Sequence, residues 1–192
     1  TVINSVETIN SVETINPMET IETVLTQKNN KLIFENYHKK NPINQDKKIA
    51  FCFLIYDKIN LEELWYIFFK NIDINLYNIY IHYKINIPLK YFEKYKLNKC
   101  IFTKWGDISL VDAQNMLLQK ALEDDKNENF IFISNSCIPL KNFYYIYNNI
   151  NSDKSYFDIL PNSYCFPRCN KLKPYMNENY IKKASQWCIL NK

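Results

Sequence analysis

Ile49-Ala-Phe-Cys-Phe-Leu-Ile-Tyr56 is an eight-residue run without a charge, stopped by Asp57. A run this short and apolar suits a strand buried on both faces, and it falls far short of the ~20 residues a membrane span needs. Just beyond it, Leu61, Leu64, Trp65, Phe68 and Phe69 recur at i, i+3, i+4, i+7 and i+8. That spacing predicts a helix with one buried face, and Asn60 stands where an N-cap is wanted.

The same alternation continues downstream. Leu76–Tyr83 reads as a second strand and Lys99–Trp105 as a third. Residues 109–124 read as a helix with Leu110, Ala113, Leu117, Leu118 and Ala121 on one side. Asn129–Ser134 reads as a fourth strand, followed by a turn at Pro139, a short helix near Phe143–Ile150, and further strands at Ser155–Leu160 and Gln186–Leu190. Strands separated by helices of this length predict βαβ crossovers, hence an α/β fold with a mostly parallel sheet flanked by helices. Ligands of such sheets bind beyond the carboxyl ends of the strands. Trp105–Asp107 and Ser134–Cys137 both fall there.

The chain upstream has another texture. Ile3-Asn-Ser-Val-Glu-Thr8 is repeated at Ile9 and, altered, at Ile15. Its apolar residues recur every third position, which drifts ~60° per step around an α-helix and leaves no stable stripe. A hexapeptide β-helix would lack both glycine and stacking partners, so a disordered low-complexity tail is the expectation. Residues 25–47, rich in Lys and Asn, read as a linker. Residues 1–47 are thus expected to be tail and linker, and 48–192 a domain. The tail carries four Glu and no Lys before position 28, so the domain is more basic than the net charge of +4 suggests.

Composition excludes several chemistries. Gly106 is the only glycine in 192 residues, where ordinary usage would give about 13. No Gly-rich phosphate loop can therefore exist. His38 and His82 are the only histidines, and no Cys-x-x-Cys pair lies near either. Zinc and Ser-His-Asp chemistry are correspondingly disfavoured. Cys165 and Cys169, four apart in a Pro-containing loop, could form a disulfide, which the sequence leaves open. Arg168 is the only arginine, and scattered lysines do not make the clustered footprint of a nucleic-acid binder.

Three segments carry candidate chemistry. Ser109-x-x-Asp112 reads either as a capping box or as a carboxylate facing a ligand at the strand ends. Ser134-Asn-Ser-Cys137 offers hydroxyls and an amide, either as ordinary turn chemistry or as neutral partners for a polyhydroxy ligand. It contains no carboxylate, and magnesium or manganese would want one or two to hold a diphosphate. Arg168, Lys171, Lys173, Lys182 and Lys183 form a basic stretch, either a solvated surface or a phosphate-capturing one.

Four motifs occur in order: Trp105-Gly-Asp-Ile-Ser-Leu-Val-Asp-Ala113, Leu117-Leu-Gln-Lys-Ala-Leu122, Phe130-Ile-Phe-Ile-Ser-Asn-Ser-Cys-Ile-Pro-Leu140 with Asn142-Phe143, and Lys183-Ala-Ser-Gln-Trp187. Together with Ile79-Tyr-Ile-His82 they resemble the core-2/I-branching β-1,6-N-acetylglucosaminyltransferase family, in particular the N-terminal half of its plant-type branch. Two positions depart from that pattern: Asn135 replaces the usual Glu, and Ala184 the usual Gly. The resemblance implies a GT-A-like (Rossmann-like) fold, here incomplete at the C-terminus. It implies transfer of a sugar, typically N-acetylglucosamine, from a UDP-sugar donor to a glycan or glycoprotein acceptor. Inversion at the anomeric carbon and the absence of a metal cofactor are implied too.

Nucleotide-sugar or substrate binding is accordingly expected at His82, Trp105, Asp112, Ser134, Ser136, Cys137, Arg168, Ser185, Gln186 and Trp187. In the family the catalytic base and the diphosphate-binding cations lie downstream of the segment matched by Lys183–Trp187. The sequence ends at Lys192, so a truncated enzyme is expected, or else a non-catalytic remnant that binds nucleotide-sugar or glycan. Family members are generally Golgi type II membrane proteins. The repeat tail shows no anchor, so no localisation is carried over.

Overall fold

A computed structural model describes residues 47–150, 152–160 and 169–192. The repeat tail, Cys165 and Arg168 lie outside the described residues. Five strands form one sheet: β1 (Lys48–Ile55), β2 (Tyr77–Tyr83), β3 (Asn127–Ser134), β4 (Tyr156–Ile159) and β5 (Ala184–Asn191), in the order β2-β1-β3-β5-β4. Among the described residues three α-helices accompany them, α1 (Glu62–Phe69), α2 (Ser109–Ala121) and α3 (Phe143–Asn149).

Every residue from Ile49 to Ile55 is buried because both faces of β1 are covered. On one face Phe51 and Phe53 meet Trp65 edge-on, and Phe51 also meets Phe69 of α1 and Phe143 of α3. On the other, Ala50, Cys52 and Leu54 pack with Ala113, Leu117 and Ala121 of α2 and with Phe130 and Phe132 of β3. Alternate residues of one strand thus feed two separate cores. Burial raises the Cys52 thiol far above its ordinary range, so this sulfur is a packing group.

Five expectations are corrected. The sheet is mixed, not mostly parallel: β1 pairs in parallel with β2 and β3, whereas β5 runs antiparallel to both β3 and β4. A single reversed strand accounts for both antiparallel pairings. Lys99–Trp105 is not a strand; beside β2 this region makes only an isolated bridge, Ile81 to Lys96. The Ile101 N–H, which a ladder would have used, goes instead to His82 Nε2 at 3.1 Å.

Asn60 does not cap α1. Its N–H donates to the Asn135 carbonyl at 2.9 Å and its side-chain oxygen accepts from Asn135 Nδ2, so it ties the helix start to the turn after β3. Leu61 and Leu64 of the expected buried face are exposed, and Trp65, Phe68 and Phe69 are the α1 side chains that meet Phe51 or Phe53. The Ser109–Asp112 capping box is also absent, because Ser109 Oγ accepts from Lys104 N–H at 3.0 Å. Asp107 takes over, accepting from Ser109 N–H at 3.0 Å, and that bond holds its carboxyl below the usual range.

Candidate functional site at the strand ends

β1, β2 and β3 all point the same way, so Tyr56, Lys84 and the Ser134–Cys137 turn emerge at one end of the sheet. α2 starts at that end, and β5, being reversed, begins there with Ala184. Three ties hold the pieces together. Trp65 Nε1 donates to the Cys137 carbonyl at 3.0 Å, Gln114 Nε2 of α2 donates to the Gln186 carbonyl at 3.0 Å, and the N–H groups of Lys84 and Ile85 reach the Tyr56 carbonyl.

The turn after β3 is organised by a buried hydroxyl. Ser134 Oγ accepts from Ser136 N–H at 3.2 Å and lies 3.1 Å from Ser136 Oγ and 3.2 Å from Cys137 Sγ. Ser136 itself is exposed. The lone glycine is spent where it is needed: Gly106 has φ +71°, a conformation other residues adopt only with strain. It follows Trp105, whose ring is 92% exposed ahead of α2. Asp112 stands exposed on the first turn of that helix.

Other expected residues are placed differently. His82 is fully buried, and accepting from Ile101 requires its Nε2 to be unprotonated. Burial pushes its pKa below the ordinary 6.5, and its Nδ1 has no partner. Its visible work is to hold the segment leading to Trp105. Trp187 packs against the α2 core cluster. Ser185 Oγ accepts from Trp187 N–H at 3.3 Å, and Gln186 Nε2 is buried without a hydrogen-bond partner. Such orphan donors are rare in native folds and call for an explanation.

Sequence reasoning missed a cation here. Lys84 Nζ sits 5.0 Å from the centre of the Tyr56 ring and 4.4 Å from that of Phe102. A lysine directly after a strand in such a sheet was the available signal. The strand ends therefore combine exposed hydroxyl, indole and carboxylate groups with the Lys84 ammonium, a set able to bind a polar anion bearing hydroxyls. Among the described residues no three His, Cys, Asp or Glu gather closely enough to hold a metal ion. No described helix is long and apolar enough to cross a membrane.

An α/β domain with this polar rim at its strand ends is of the kind that takes up small polar ligands. The sequence pattern of the Core-2/I-Branching enzyme family matches residues 49–192, and the chain belongs to that family. It is similar to "Glycosyltransferase BC10" of rice (Oryza sativa subsp. japonica), with 30% identity over 157 residues, 76% of this chain and 38% of the rice protein. The chain thus spans well under half the length of that curated relative. No solved structure matches it.

Proposed function

We propose that residues 48–192 are the nucleotide-sugar-binding part of a GT-A-like glycosyltransferase domain preceded by a low-complexity tail. The reaction served is inverting, metal-independent transfer of a sugar, N-acetylglucosamine first among candidates, from a UDP-sugar to a glycan or protein hydroxyl. Family membership supports transfer, and the location of Trp105, Asp112, Ser136 and Lys84 at one end of the sheet is the observation that supports the assignment of the site. In this reading Trp105 packs on a ring of the donor and Asp112 accepts from a hydroxyl. Ser136, Cys137, Ser185 and the unpartnered Gln186 amide meet further polar groups, with Ser134 holding the turn and His82 and Trp187 behind the rim.

Transfer from a UDP-sugar releases UDP, and the charge growing on its diphosphate must be met by fixed cations when no metal does so. Lys84 and Arg168 are the candidates. The Ser134–Cys137 turn has no carboxylate with which to hold a divalent ion, which supports metal independence. No catalytic base is assigned to this segment.

Calorimetric titration of UDP and UDP-N-acetylglucosamine into the 192-residue chain, with and without EDTA, tests the proposal. Binding should be indifferent to EDTA. Trp105→Ala and Asp112→Asn, both at exposed positions, should each weaken it about tenfold, the worth of one stacking or charged hydrogen-bond contact. Absence of binding removes the donor assignment, and binding that requires added manganese removes the metal-independent mechanism.

A further inference from the structure

A concavity lies away from the strand ends. A groove of about 590 Å³ runs between β2, the segment 94–99 and the C-terminal half of α2. None of Trp105, Asp112, Ser134, Ser136 or Gln186 lines it. At ~1.5 Å rise per residue, the lining residues Met116, Gln119 and Lys120 lie roughly 6–12 Å down the helix from Asp112. Ile79, Tyr80, Leu97 and Met116 contribute apolar surface to its lining.

Its charged groups are almost all lysines, from both walls. Lys94 and Lys99 come from the crossing segment and Lys120 from α2, all exposed. Lys96 is engaged: its ammonium reaches Glu93, the Asn86 side chain and the Ile87 carbonyl. Lys120 pairs with Glu123, the one carboxylate in the lining, through an exposed contact that a competing anion can replace at little cost. Lys94 lies over the Tyr95 ring, and Lys99 makes no ion pair among the described residues. A lysine ammonium is a point charge that takes a carboxylate in any orientation.

The backbone adds a third feature. β2 is an edge strand, and Leu97 N–H donates to the outward carbonyl of Ile81 at 2.9 Å. Ile79, two residues earlier, turns its N–H and C=O to the same edge, by the period of a strand. Methionine and aliphatic side chains, an edge position at Ile79 that no described segment pairs, and a cationic rim match an extended peptide with alternating apolar and acidic residues. A neutral sugar would leave the lysines without partners, and a purely polar polyanion would leave the apolar lining uncovered.

We propose that this groove is a docking site for an acidic, apolar-anchored peptide segment of a partner or protein substrate, separate from the strand-end site. It does not depend on the donor assignment. The test uses a fluorescein-labelled short peptide of alternating Glu and Leu, followed by anisotropy with the full 192-residue chain. Charge reversal at an exposed pair removes one weak attraction and adds a like repulsion, so Lys99→Glu and Lys120→Glu should each weaken binding about three- to tenfold. Met116→Lys should weaken it as well, through loss of the apolar contact, while Lys141→Glu, outside the groove, should leave it unchanged. Saturating UDP should not displace the peptide.

Three results overturn the proposal: no binding, equal loss in Lys141→Glu, or equal affinity for an all-Glu peptide or a sulfated oligosaccharide with no effect of Met116→Lys. The last would identify a general anion surface. Melting curves of the variants, all at exposed or half-exposed positions, separate lost binding from lost folding.

Discussion

Trp65→Phe should destabilise the domain through lost ring packing and one lost hydrogen-bond donor. The indole is 4% exposed and meets Phe51, Phe53 and Phe68 edge-on. A phenyl ring keeps most of this packing but vacates the space of the fused ring, at a cost of about 1–2 kcal/mol by analogy with other small core deletions. It also removes the Nε1 donor and leaves the part-buried Cys137 carbonyl without its 3.0 Å partner, a further ~1–2 kcal/mol. The sum, about 3 kcal/mol, is roughly a hundredfold in the unfolding equilibrium. Guanidinium unfolding followed by far-ultraviolet circular dichroism measures it.

Benzothienylalanine at position 65 isolates the donor, since sulfur replaces the N–H in a ring of nearly the same shape. It should show about half the loss. Because Cys137 belongs to the turn carrying Ser136, both substitutions should also weaken UDP binding. A Trp65→Phe protein within ~0.5 kcal/mol of wild type would refute the claim that this bond ties α1 to the strand-end turn, and so would a benzothienyl variant with no loss at all.

Two further outcomes concern pH. Asp124 accepts from Lys48 Nζ at 2.9 Å and Asn78 Nδ2 at 2.8 Å, and the Lys48 bond leads in lowering its carboxyl from 3.8 to about 2. The folded state therefore favours the ionised form. This stabilisation, at most about 2 kcal/mol after allowance for partial exposure, is present above pH ~3.8 and fades as pH falls toward 2. Asp124→Asn should show a flatter acid limb in denaturant midpoints, and an unchanged limb contradicts the assignment. His82, with its folded pKa below 6.5, acts in the same direction at higher pH, because the unfolded chain takes up the proton first. Stability should fall as pH drops below about 6.5. His82→Gln can still accept from Ile101 without titrating, so it should lose less between pH 7.5 and 5; parallel curves for the two proteins would count against the buried neutral imidazole.

The elements themselves were legible in the residue pattern. β1, α1, α2, β3 and α3 fall close to where the residue pattern put them, because an unbroken apolar run marks a strand buried on both faces and a spacing of three to four marks a helix face, both within a short window. The lack of glycine-rich loops and the carboxylate-free turn after β3 were likewise properties of the chain alone. Other features needed coordinates. The reversed β5 makes the sheet mixed, His82 diverts Ile101 from a ladder, Asn60 is drawn to Asn135, and Ser109 yields the helix start to Asp107. Lys84, Tyr56 and Phe102 meet from three separate segments, as do the walls of the lysine-rimmed groove. Local spacing says which side chains share a face. Which donor finds which acceptor is decided by distances between residues far apart in the chain, and those exist only once the sheet has closed on its helices.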